Sequence, residues 1–170
     1  MGARLSWSWQ AWGVLLQDIQ NAYRDISAPR RSFALVAARS QPYRDLIDDL
    51  SGIAALVDDT DINCDVCFSY TLKSHRQYFV RLSMVGLYAT FARVDACGCM
   101  EFIASRKDSS SDIERDVLRL LKARGFHVLS EDQLDATVDL ALPGLAHVKV
   151  YNALFFPEEE LSLKNCNGGR

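Results

Sequence analysis

The sequence predicts an α+β fold, an antiparallel sheet of about 4–5 strands with helices packed on one face. Apolar and polar residues alternate over much of Val66–Arg93, and this segment contains no proline. A period of two is typical of strands with one buried face and one solvent-exposed face. Short polar connections divide the segment, which favours an antiparallel meander. Helical patterns with one apolar side precede and follow it, and the sheet would bury those sides.

Two helices are predicted before the sheet. The first spans 7–25, where apolar residues recur at spacings of three and four: Trp9, Trp12, Leu16, Ile19 and Tyr23. We expect Trp9 and Trp12 to seal this helix onto the core rather than to stack on a ligand. The apolar run 33–38 is compatible with a strand or a helical turn. Pro42 begins the second helix, whose apolar side holds Leu46, Ile47, Leu50, Ile53, Ala54 and Val57.

The strands of the meander are predicted at 65–72, 77–84, 87–94 and 100–104. Ser111 and Glu114 then form an S-x-x-E capping box, which predicts a helix that ends at Gly125. A second box, Ser130 with Gln133, predicts a short helix, and 147–151 is predicted to be a last strand. Residues 1–160 are expected to form one domain, and 161–170 a flexible C-terminal tail.

Composition excludes several classes of protein. The 170 residues carry a formal net charge of −3, which gives no electrostatic signature of nucleic-acid binding, since such binding needs a basic face. It contains no run of 18 apolar residues, and we therefore expect no membrane span. The N-terminal stretch lacks the apolar core and cleavage site of a signal peptide, which favours a cytoplasmic location. The oligomeric state is not predicted.

The cysteines are predicted to be buried, reduced thiols. Cys64 and Cys67, with Cys97 and Cys99, have the spacing of two halves of a zinc site. However, Cys64–Cys67 enters a strand, where residues three apart point to opposite faces, so we expect no metal. An odd total of five cysteines is also more consistent with a reducing compartment than with disulfide staples.

No catalytic constellation or cofactor site is predicted. His75, His127 and His147 lack paired spacing, and no serine or cysteine occupies a nucleophile-elbow context. The glycine-rich motifs that bind phosphate are also missing from the sequence. The protein is therefore expected not to be an enzyme.

One run of acidic residues is the main candidate for a functional surface. The segment 45–65 contains seven aspartates and neither lysine nor arginine. It can be a solvated helix end and loop, or a docking surface for a basic partner, because complementary charge speeds association and fixes orientation. The predicted partner-binding residues are Asp58, Asp59 and Asp61, the densest part, together with Asp48 and Asp49.

Two segments, Ser83–Ala89 and Val150–Phe155, together with the helix leading to Gly125-Phe126, resemble the small immunity proteins encoded beside bacterial polymorphic or contact-dependent toxins. The resemblance covers about residues 61–156. It implies a protein that binds and blocks a cognate toxin and performs no chemistry of its own. Many such toxins are basic nucleases, which would make the acidic run the toxin-facing surface. The resemblance carries no fixed functional residues, because toxin-facing surfaces diverge.

Two alternatives remain open. The first is a small-molecule-binding or enzymatic α+β domain with a pocket between sheet and helices, lined by Tyr70, Tyr78, Arg81 and His75. The second is a subunit of a larger assembly that uses the Trp-rich helix as its contact.

Overall fold

A computed structural model describes residues 7–96 and 98–158 of the chain. In chain order, the helices and strands are α1 (Trp9–Tyr23), α2 (Ser32–Ser40), α3 (Arg44–Ser51), β1 (Ala55–Asp58), β2 (Cys67–Lys73), β3 (Gln77–Ser83), β4 (Tyr88–Val94), β5 (Met100–Phe102), α4 (Asp112–Ala123), β6 (His127–Val128), α5 (Glu131–Leu134) and α6 (Val150–Leu154). The predicted tail, 161–170, lies outside the described residues.

The predicted fold class is confirmed. Strands β1 to β5 form an antiparallel meander in sequence order, and β6 pairs with β4 in parallel. Phe68 lies opposite Leu82, which lies opposite Ala89, so the apolar positions of three strands share one face. This register follows from the period-two pattern, because a slip of one residue would expose the whole apolar set.

That apolar face is covered by α2, α3 and α4. Its central side chains are fully buried, among them Leu72, Val80 and Phe91. The opposite face is covered as well, which the sequence pattern did not predict. There, Cys67 and Tyr88 pack in a second core cluster with α1 and the segment around α6. The polar positions of the strands are consequently buried rather than solvent-exposed: Ser69, Thr71, Ser83 and Thr90.

Helix α1 is present, but the prediction for its buried side is wrong in part. Leu15, Ile19 and Tyr23 are buried, whereas Trp9 is 88% exposed. Because Leu15 and Leu16 are adjacent, the apolar spacing is compatible with a buried stripe through either residue, and the sequence alone does not decide between them. Trp7, which precedes the Ser8 N-cap, is the tryptophan that is buried against the core. The Tyr23 hydroxyl donates a hydrogen bond to the Ala153 carbonyl at 2.9 Å and ties α1 to α6.

Two further predictions require correction. The predicted second helix ends at Ser51, and the chain then forms β1, the edge strand that pairs with β2. The predicted last strand is reduced to one bridge between Thr137 and Lys149. Helix α6 begins at the next residue, because the Asn152 side chain accepts the Lys149 N–H at 3.0 Å. The undecided run 33–38 is helical and belongs to α2.

A buried ion pair joins α4 to the sheet. Ser111 caps α4 as predicted, but the Glu114 carboxylate turns away from the predicted capping box. It lies 3.1 Å from the Arg93 guanidinium and accepts the Ser110 N–H. Arg93 also pairs with Glu101 at 2.6 Å. Glu114 is fully buried, so these partners replace its lost hydration.

Replacing Thr90 with valine is expected to raise the free energy of unfolding by about 1 kcal/mol. The Thr90 hydroxyl is buried in β4 and, within the described part of the chain, has no hydrogen-bond partner. Valine has the same shape without the hydroxyl, and burying an unpaired hydroxyl is unfavourable. Urea denaturation measures the change.

Thr71→Val is the matched control, because the Thr71 hydroxyl donates to the Asp59 carboxylate at 2.5 Å. This substitution is expected to lower the free energy of unfolding by about 1 kcal/mol. A loss of stability in Thr90→Val equal to that in Thr71→Val would contradict the prediction.

Candidate partner-binding surface

The acidic loop, residues 58–65, follows the edge strand β1 and carries three exposed aspartates. Each of their carboxylates accepts a hydrogen bond from the loop or from the strand beside it. Asp58 accepts the Thr60 N–H at 3.0 Å, and Asp61 accepts the Asn63 N–H at 3.0 Å. Asp59 accepts the Thr71 hydroxyl described above. These are the local turn bonds that aspartate forms readily, and they hold the carboxylates in fixed positions.

The loop is anchored at both ends. The Asp59 N–H donates to the Ser69 carbonyl at 2.9 Å, and the Ser69 N–H donates to the Thr60 hydroxyl at 3.0 Å. Arg31, directly before α2, donates to the Cys64 carbonyl at 3.0 Å and pairs with Glu158 at 2.8 Å. The acidic loop is therefore held between β2 and α2 before any partner arrives, which reduces the entropic cost of binding.

The hydrogen bonds and charges of the loop shift the pKa values of two of its side chains. The backbone N–H of Asn63 lowers the pKa of the Asp61 carboxyl, which is charged at neutral pH. The same negative charge raises the pKa of the neighbouring Cys64 thiol. Since the thiolate is the nucleophilic form of cysteine, the exposed Cys64 side chain is poorly suited to catalysis.

A groove with a volume of about 300 Å³ lies beside the acidic loop. Its lining combines two large apolar side chains, Leu35 of α2 and Ile62 of the loop, with polar groups that include Asp65 and Arg31, the latter paired with Glu158. Leu35 is 48% exposed and Ile62 44% exposed, so two large apolar side chains face solvent next to a cluster of carboxylates. An apolar centre with a charged rim is the usual anatomy of a protein–protein interface.

The sequence pattern did not predict this groove. A signal for it was present, because the run 33–38 is apolar on all sides, although a nine-residue surface helix can bury only one of them. Ala34 takes the buried position, which leaves Leu35 and Val36 exposed. The groove forms where α2 and the acidic loop lie side by side. These two segments are too far apart in the sequence for a periodic pattern to relate them.

The other two predicted aspartates lie on α3. Asp49 pairs with Arg124 at the end of α4 at 2.5 Å, and Asp45 lies 4.0 Å from the same guanidinium. The charge of Asp49 is thus partly neutralised within the protein. Asp48 is exposed on the same helix. The structure therefore places Asp58, Asp59 and Asp61 in one loop and Asp48 and Asp49 on a separate element.

The four side chains proposed for the alternative pocket do not line a common cavity. Tyr70 and Tyr78 are buried in the core between the sheet and α2–α4. Arg81 points to the opposite face of β3, where its guanidinium lies 4.8 Å from the centre of the Phe156 ring. His75 lies in the turn between β2 and β3, edge-on to Tyr78.

The cysteines only partly follow the prediction. Cys64 and Cys67 are thiols, but Cys64 is exposed rather than buried. Cys99 is disulfide-bonded, so the prediction of a reduced thiol is wrong there. Cys97 and Cys166 lie outside the described residues. Over the described ranges, no three His, Cys, Asp or Glu side chains are grouped as a metal site requires.

No family model, curated protein or solved structure matches this chain. Among the helices of residues 7–96 and 98–158, none has the length and apolar character needed to cross a bilayer.

Proposed function

We propose that this protein is a non-enzymatic binding protein that neutralises a basic toxin domain in the bacterial cytoplasm. The observation that carries the proposal is the fixed set of exposed carboxylates, Asp58, Asp59 and Asp61, beside the groove in which Leu35 and Ile62 are exposed. The resemblance to immunity proteins supports the same function.

The two parts of the surface have different tasks. The groove would receive an apolar side chain of the toxin, and burial at the centre of an interface supplies most of the affinity. The carboxylates would attract a basic surface over a distance and set the orientation of docking. If the toxin is a nuclease, its basic substrate cleft binds phosphates, and the carboxylates would occupy that cleft in their place.

Co-expression with the toxin domain encoded by the adjacent reading frame tests this function. We expect the protein to restore growth of cells that produce the toxin domain, and the two purified proteins to co-elute from a sizing column. An absence of both protection and complex formation would overturn the proposal. A neighbouring metabolic operon without a toxin domain would count against it as well.

Ile62→Ser is expected to weaken toxin binding by about 10- to 100-fold, because it removes the apolar centre of the surface. Ile26→Ser is the control, since Ile26 is comparably exposed, at 38% against 44%, and is not among the residues that line the groove. Calorimetric titration with the purified toxin domain measures both. Equal affinities for the two variants would exclude the groove from the interface.

A further inference from the structure

A second groove is lined by residues of α1, the start of β4 and the connection between α4 and β6, none of which lines the groove beside the acidic loop. Its volume is about 530 Å³, within the range of small-molecule sites. It runs between α1 and the start of β4, and Trp7, Asp18, Leu87, Tyr88 and His127 form its main walls. Neither the acidic loop nor the Leu35–Ile62 groove contributes a residue to it.

A carboxylate is held rigidly in this groove. The Tyr88 hydroxyl donates a hydrogen bond to Asp18 Oδ2 at 2.7 Å and connects α1 with β4. Gly86 makes this arrangement possible, because a Cβ at that position would lie 2.9 Å from the Tyr88 ring and 3.3 Å from Asp18 Oδ2. Any other residue at position 86 would force the pair to shift.

The Trp7 side chain, which lines the groove, supplies one of its aromatic walls. The Trp7 indole N–H is buried and, over residues 7–96 and 98–158, has no hydrogen-bond partner. The Trp7 ring stacks on His127, with 4.9 Å between ring centres and 20° between ring planes. His127 Nε2 lies 3.4 Å from the Gln133 side-chain nitrogen. A buried unpaired donor is uncommon in proteins, and the two stacked rings form the aromatic side of the groove.

The charge of the groove selects a cation. Asp18 lines the groove, and no lysine or arginine does. Burial, together with the nearby Lys122 charge, lowers the pKa of His127, which is therefore neutral at pH 7. A carboxylate between aromatic walls is an arrangement that binds organic ammonium ions, since aromatic faces also attract cations.

We propose that this groove binds a small organic ammonium ion. The ammonium group pairs with the Asp18 carboxylate, and the aromatic rings that line the groove lie against the cation. The apolar part of the ligand lies against Leu87 and the Tyr88 ring. This site shares no residue with the acidic loop, so the test of amine binding is independent of the test of toxin binding.

Calorimetric titration of the full chain with tyramine, ethanolamine and choline tests the proposal. We expect at least one of these amines to bind with a Kd below about 1 mM. Tyrosol, in which a hydroxyl replaces the ammonium group of tyramine, should bind at least about 10-fold more weakly than tyramine. Asp18→Asn should weaken amine binding by about 10-fold or more, whereas Asp139→Asn, at an exposed position outside the groove, should leave it unchanged.

A second measurement on the wild-type protein does not depend on the folding of a variant. The bound amine should shift the indole N–H resonance of Trp7, assigned with Trp7→Phe, more than those of Trp9 and Trp12. The proposal is overturned if none of the three amines binds with a Kd below about 1 mM, if tyrosol binds as well as tyramine, or if Asp18→Asn and Asp139→Asn bind alike.

Discussion

Replacing Glu114 with glutamine is expected to lower the free energy of unfolding by about 3 kcal/mol. The carboxylate is fully buried and bonded to both Arg93 and the Ser110 N–H. Glutamine has nearly the same shape, but among the described residues it leaves the half-buried guanidinium of Arg93 with Glu101 as its remaining anionic partner. Urea denaturation gives the change from the transition midpoint and slope.

Asp116→Asn is the matched control, because it breaks an exposed pair on the same helix. Asp116 lies 2.9 Å from Arg119, and both side chains are solvent-accessible. The expected loss is below about 0.5 kcal/mol. Similar losses in Glu114→Gln and Asp116→Asn would show that burial does not strengthen the Arg93–Glu114 pair.

The pH dependence of stability offers a check on the same group. Burial raises the pKa of Glu114, but the bonds from Ser110 and the charge of Arg93 lower it by more, and the net pKa lies below its ordinary value. The pair therefore contributes its full stability above the unfolded pKa of about 4.3 and loses it as the pH falls through the folded pKa. Glu114→Gln should accordingly lose less stability than the wild type between neutral and acidic pH.

Reversing three charges of the acidic loop, in the variant Asp58→Lys, Asp59→Lys and Asp61→Lys, is expected to weaken toxin binding by about 100-fold. Most of the change should lie in the association rate, because exposed charges act mainly by attracting the partner. The salt dependence of that rate should also decrease or reverse. Stopped-flow or surface-binding kinetics at several salt concentrations measure both quantities.

A control with the same change of net charge separates local from global effects. Asp116→Lys, Asp132→Lys and Asp139→Lys reverse three charges that do not line the acidic loop or its groove. This variant should retain most of the affinity. The triple asparagine variant of the loop keeps the side-chain acceptors of the turns and should weaken binding by about 10-fold. Equal affinity of the loop variant and the control would remove the acidic loop from the proposal.

Much of the sheet could be predicted, because its signals are local. Strands β2, β3 and β4 alternate with a period of two, and α4 has both an apolar stripe and the Ser111 cap. The acidic loop was likewise visible as a run of aspartates without a neighbouring cation. These features depend on residues that are close along the chain, and each follows from backbone geometry and solvent exposure.

Contacts between distant segments decided the remainder. Residues 55–58 form β1 because the edge of β2 supplies backbone partners, although their apolar spacing also suits a helix. Helix α1 buries Leu15 instead of Leu16 because Leu15 lies in the second core cluster, onto which the helix packs. Tertiary packing can override local preference in this way, because burial over many contacts outweighs small differences in propensity.

The functional surfaces show the same division. The aspartates of the acidic loop are a property of the sequence, whereas the exposed groove beside them exists only because α2 and the loop meet in the fold. Similarly, Asp18 and Tyr88 are 70 positions apart, and only the packing of α1 on β4 brings carboxylate and hydroxyl together. Charge and periodicity can be read directly from the sequence. A binding site, however, requires side chains from separate elements to lie close together, and the packing of the core determines which of them do.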